Sequence, residues 1–147
     1  MSSGTQYVVG PAGCGMLLRG PLGAELMLAA ERTEGRLAVV EHPLAPRALG
    51  SPVHTHRNQD EYSVVLEGVV GAEVGGQVIE AGPGVMLVKP RGVPHAFWNP
   101  TDEPARSLEI ISPGRVRAVL RRPGGDLRHA RGTGSAAAGG RGRPLRP

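Results

Sequence analysis

Short apolar runs, each closed by glycine or proline, fill the middle of the chain. Residues 37–42 are β-rich and end at Pro43, and a Pro46–Pro52 loop leads into residues 53–56. Residues 61–66 (EYSVVL) stop at Gly68, and 69–74 and 77–80 flank Gly75-Gly76. A glycine pair between two β-rich runs is a two-residue hairpin signal, because both central positions can take positive φ. Residues 85–89, 95–99 and 107–112 complete the series, with turns at 82–84 and 90–94. Many short strands about ten residues apart predict an antiparallel sandwich or barrel. The only competing patterns are helical propensity over 24–32 and a short candidate helix over 116–122.

This divides the chain into an irregular segment at 1–20, a barrel domain at 21–114 and a low-complexity tail at 115–147. The 147 residues suffice for one domain with its own core. The net charge of +4 is unevenly spread: residues 1–114 carry 8 Lys/Arg against 12 Asp/Glu, whereas the tail holds nine arginines and one acid, Asp126. The basic character belongs to the tail, which is expected to be mobile and solvated. Nucleic acid is not an expected partner, because no aromatic residues are interleaved for base stacking. The single cysteine, Cys14, excludes an internal disulfide and suits a reducing, cytoplasmic setting. No signal-peptide pattern and no apolar run of membrane-spanning length is expected.

Three of the five histidines form a pattern with an acid: His54-Thr55-His56, Glu61 and His95. Strand residues i and i+2 share a face, so His54 and His56 present two imidazoles to one point, about 7 Å apart along the backbone. Strict alternation puts Glu61 on the opposite face, so residues 57–60 must reset the phase, and Asp60 is a rival with simpler parity. Three imidazoles and a carboxylate suit one divalent transition metal ion, whether Fe, Mn, Ni, Co, Cu or Zn. Four protein ligands leave positions open on an octahedral ion, which is a catalytic kind of site.

Residues 54–68 read His-x-His, four residues, Glu, six residues, Gly. Residues 84–99 read Gly, five residues, Pro-x-Gly, two residues, His, three residues, Asn. The joint pattern resembles the two motifs of the cupins. Residues 94–100 and 102–106, with 33–36 upstream, are similar to the quercetin dioxygenase-like group of small single-domain cupins. One departure is Gly50, four residues before His54 where six is usual; the Arg-rich sequence after Gly114 is another, replacing an aromatic-rich C-terminal helix.

The resemblance implies an antiparallel double-stranded β-helix, the jelly-roll barrel, with His54, His56, Glu61 and His95 as metal ligands. It settles Glu61 over Asp60. It also implies a metal-dependent enzyme for a small-molecule substrate, first of all a dioxygenase acting on a phenolic or enolic compound. In that reading Glu61 leaves the metal to serve as general base. A non-oxidative cyclase, isomerase or decarboxylase is the second reading, and a binding module without turnover the third. Phe97 shares the parity of His95 and is expected inside the barrel. With Tyr62, which has the opposite parity to Glu61, it is a candidate substrate-pocket residue. Asn99 is expected to close a turn through its side chain, and His42 to be structural or superficial. Edge strands of such barrels favour pairing, so a homodimer is expected.

Overall fold

The structure is a computed structural model and describes residues 8–10 and 13–114. The candidate helix at 116–122 and the tail lie outside the described residues. Among the described residues, ten strands form two antiparallel sheets, which bears out the all-β class. They are β1 (Gly15–Leu18), β2 (Ala24–Leu28), β3 (Ala38–Leu44), β4 (Leu49–His54), β5 (Asp60–Glu67), β6 (Val70–Val74), β7 (Gln77–Ala81), β8 (Met86–Lys89), β9 (His95–Trp98) and β10 (Ala105–Ser112). One sheet has the order β1-β2-β3-β10-β5-β8 and the other β4-β9-β6-β7. No helix among the described residues is long and apolar enough to cross a membrane.

Several boundaries differ from the sequence expectation. Gly15–Leu18, inside the segment expected to be irregular, is a strand paired with β2. Helical propensity at 24–32 yields to strand β2, whose Ala24 and Leu26 are buried, and only Ala30–Thr33 coil into a 3-10 turn. Strand β3 runs through Pro43 instead of ending there. Pro43 has no N–H to lose from the ladder, and its carbonyl accepts the Gly23 N–H at 2.8 Å. The predicted hairpin is present: Val74 opposes Gln77 across Gly75 and Gly76, whose φ angles are 58° and 82°.

The two inner cores are unequal. The larger packs Leu44, Val65, Val70, Leu87 and Phe97 among small alanines, and the smaller joins Ala24, Leu26, Val40 and Ile111. Along β3, His42 separates Val40 from Leu44. Along β10, Ser107 and Glu109 separate Ala105 from Ile111. Both strands alternate strictly between buried and half-buried residues, so these polar side chains point inward. The outer face of the same sheet is comparatively apolar, with Tyr62, Val64, Leu108, Ile110, Met86 and Val88. Across it Arg106 donates to Glu41 at 2.8 Å and to Glu67 at 2.7 Å, bridging β3, β10 and β5.

Asn99 closes the turn after β9 as expected. Its buried amide donates to the carbonyls of Glu103 (2.7 Å) and Ala45 (3.1 Å), and its oxygen accepts from the backbone and hydroxyl of Thr101.

Candidate metal centre

His54 is the last residue of β4 and is the register partner of His95, the first residue of β9. His56 follows in the loop beyond β4, so the two histidines do not share one regular strand as predicted. The loop is pinned instead: the Gly92 N–H donates to the His56 carbonyl at 2.7 Å, and Gly92 has a φ of 77° that favours glycine. This bond ties the first motif to the turn that carries the second.

Glu61 enters from β5 on the buried face, while its neighbour Asp60 turns outward. Asp60 is engaged by Arg91 through the backbone N–H (2.9 Å), Nε (3.1 Å) and Nη2 (2.7 Å). These bonds hold the Asp60 carboxyl at about 2, below its usual range. The rival ligand is thus occupied elsewhere.

The ligand atoms of His54, His56, Glu61 and His95 all lie within 4.8 Å of one another. The three imidazole centroids are 4.4–5.4 Å apart. Nδ1 of His54 lies 2.8 Å from the Pro52 carbonyl, and Nδ1 of His95 lies 3.0 Å from the Val93 carbonyl. Carbonyls only accept, so both Nδ1 atoms carry the proton and both Nε2 lone pairs face inward. His56 Nε2 lies 3.0 Å from His54 Nε2 and 2.8 Å from Glu61 Oε1.

His95 Nε2 is buried and has no hydrogen-bond partner; Glu61 Oε2 is 3.2 Å away, but outside hydrogen-bond geometry. A buried, unpartnered lone pair is costly unless something binds it. The four side chains therefore fit a divalent cation. Burial lowers the pKa of His54, which keeps it neutral as a ligand must be. The Glu61 carboxylate raises that of His56. Burial alone would raise the Glu61 pKa, but His56 and Lys89 hold the carboxyl far below the usual range.

Beside Glu61 stands a set of buried charges that neither motif marks. Lys89, only 1% exposed, donates to Glu61 Oε2 at 2.9 Å and to Glu109 Oε2 at 3.0 Å. Ser63 Oγ donates to the same Glu109 oxygen at 3.3 Å. His42, expected to be structural or superficial, is buried against the Gly23 carbonyl, with Nε2 3.9 Å from Glu109. Burial would lower the Lys89 pKa, but Glu109 and Glu61 outweigh it and raise it. The available signal was a charged residue in each apolar run, Lys89 closing residues 85–88 and Glu109 between Leu108 and Ile110.

The two pocket candidates part company. Phe97 is inside, as its parity predicts, with its ring 5.5 Å from that of His42 and 5.4 Å from Lys89 Nζ. A side chain at Gly50 would overlap that ring, so the displaced glycine serves Phe97 packing. Tyr62 stands on the outer face of β5 between Val88 and Ile110, away from the quartet. Strand alternation, which puts Glu61 inside, turns its neighbour out.

Comparisons with known proteins fit this architecture. Residues 40–111 match the family model described as Cupin domain. A crystallised protein from Thermus thermophilus, TT1209, is 27% identical, with a TM-score of 0.59, covering 67% of this chain and 91% of that one. A sugar phosphate isomerase from a cupin superfamily, from Silicibacter pomeroyi, is 26% identical (TM-score 0.56), covering 63% of this chain and 59% of that one. A predicted oxalate decarboxylase from Thermotoga maritima shares the fold at 18% identity (TM-score 0.60; 64% and 82% covered). No curated protein sequence matches the chain. Both motifs thus meet at one partly buried quartet, within the residues 40–111 that match a cupin domain.

Proposed function

We propose that the protein is a metal-dependent cupin enzyme whose His54, His56, Glu61 and His95 hold one divalent transition metal ion. The observation that carries this is the convergence of four ligand atoms around the orphaned His95 Nε2. Glu61 and His95 are buried, whereas His54 and His56 are partly exposed, so a small molecule reaches the ion from the histidine-loop side. A bound ion supplies a Lewis-acidic or redox-active centre with open positions.

For the reaction, we propose first the oxygenation of a small phenolic or enolic compound, supported by the resemblance over residues 94–106. A second reading, a non-oxidative isomerase, cyclase or decarboxylase, is favoured by the polar inner face of His42, Ser63, Lys89, Ser107 and Glu109. The sugar phosphate isomerase likeness points the same way. In either reading the bond from Lys89 to Glu61 Oε2 supports Glu61 as a fixed ligand rather than a base that swings off the metal. Metal-loaded protein incubated with phenolic, enolic and sugar phosphate compounds separates the two. Substrate-dependent oxygen uptake supports the oxygenase; conversion with uptake at background overturns it in favour of the non-oxidative reading.

The proposal includes a homodimer. It is supported by the edge position of β8 and by its outward Met86 and Val88, each 52% exposed. A cytoplasmic setting is supported by the lone cysteine alone.

A further inference from the structure

The Lys89–Glu109 pair is costly to build. Two carboxylates and an ammonium sit on the inner face of one sheet, brought from β5, β8 and β10. Burying such groups rarely stabilises a fold beyond what apolar packing of the same volume would give. Their placement has a direction. Glu61 is the register partner of Lys89 across β5 and β8, and Ser63 is that of Glu109 across β5 and β10. Lys89 therefore reaches the Glu61 carboxylate from the neighbouring strand, through the oxygen that His56 does not contact.

The two oxygens of Glu61 are unequal. Oε2 accepts from Lys89 at 2.9 Å and lies 3.2 Å from His95 Nε2, while Oε1 faces His56 Nε2 at 2.8 Å. Glu109 holds Lys89 from its other side and is itself held by Ser63 Oγ. The Phe97 ring, 5.4 Å from Nζ, limits where the ammonium can move.

We propose that Lys89, backed by Glu109, is a positioning residue of the metal centre: it engages Oε2 so that Glu61 offers only Oε1 to the ion. This rests on the metal reading given above. Outer partners that orient a ligand commonly change metal affinity by about 10–100-fold when removed.

The test uses Co(II) as the probe, with the full chain and the charge-balanced double variant Lys89→Met/Glu109→Gln. Titration calorimetry gives the Kd, visible absorption reports the ligand field, and far-UV circular dichroism reports the fold. The expected result is a folded variant with Co(II) binding weakened roughly tenfold or more and a shifted absorption spectrum. A spectrum and Kd indistinguishable from those of the parent protein would overturn the proposal. A second measurement needs no variant: the crystal structure of the Co(II)-loaded parent chain should show Glu61 bound through Oε1, with Lys89 still on Oε2. A bidentate Glu61, or Lys89 turned away, overturns the proposal and leaves the metal reading standing. Failure of the parent chain to bind Co(II), or unchanged binding in His95→Ala, removes the metal reading and this proposal together.

Discussion

His54 and His95 face each other across β4 and β9, with ring centroids 4.4 Å apart and each Nδ1 beside a carbonyl two residues earlier. Two strands thus aim two Nε2 lone pairs at one point before any ion arrives. Such preorganisation makes the pair indispensable for binding. His95→Ala is expected to weaken Co(II) binding at least tenfold, measured by calorimetry, while far-UV circular dichroism stays unchanged. Parent-like affinity would contradict the assignment.

Adjacent acids separate ligand from bystander. Asp60 is committed to Arg91, whereas Glu61 faces the imidazoles. Asp60→Asn is expected to retain the metal content of the parent protein, and Glu61→Gln to lose most of it, as read by elemental analysis after dialysis. The reverse ranking would restore Asp60 as the ligand.

Metal affinity should depend on pH in a defined direction. Ligand imidazoles must be neutral, and the Glu61 carboxylate raises the His56 pKa above 6.5. Protons therefore compete near neutrality. Co(II) affinity is expected to rise with pH through that raised value and to level off above it. In the metal-free chain the sign is opposite. The His56–Glu61 pair contributes its full stability below pH 6.5 and loses it as pH rises through the folded value. A Co(II) Kd flat from about pH 5.5 to 8.5 would contradict this reading.

Asn99 is a separate, structural test. Its side chain serves the carbonyls of Ala45 and Glu103 and both donors of Thr101 from a buried position. Asn99→Ala strands these groups and should cost about 3 kcal/mol, lowering the melting temperature by roughly 10 °C. A shift under about 3 °C would mean that water replaces the amide.

Much of the barrel was legible because its turns are local. Gly75-Gly76 specifies a hairpin from two residues, and the half-buried outer face of β5 leaves a period-2 trace in EYSVVL. The quartet was legible only as a joint pattern, since Glu61 depends on a phase reset between His56 and β5 that no single strand reveals. Lys89, Glu109 and His42 were not legible. Alternation identifies a face but not which face is inside, and here the inner face carries charges while Tyr62 and Val88 stand outside. Only the register that sets Lys89 opposite Glu61 turns a lone charge into a partner. Strand β1 escaped for a related reason: Gly15–Leu18 is an edge strand with no fully buried residue to mark it.

The outer face makes the quaternary prediction. Met86→Lys/Val88→Lys should convert the proposed dimer to a monomer in sedimentation equilibrium without loss of the fold. A parent chain that sediments as a monomer would remove the dimer from the account.

The central claim is that His54, His56, Glu61 and His95 together hold one metal ion. Its most direct measurement is the metal content of the full chain after saturation with Co(II) and exhaustive dialysis, set beside a His54→Ala/His95→Ala variant of unchanged circular dichroism. About one ion per parent chain is expected, the four donors forming a single centre, and background in the variant. Background in both, or equal retention in both, would contradict it.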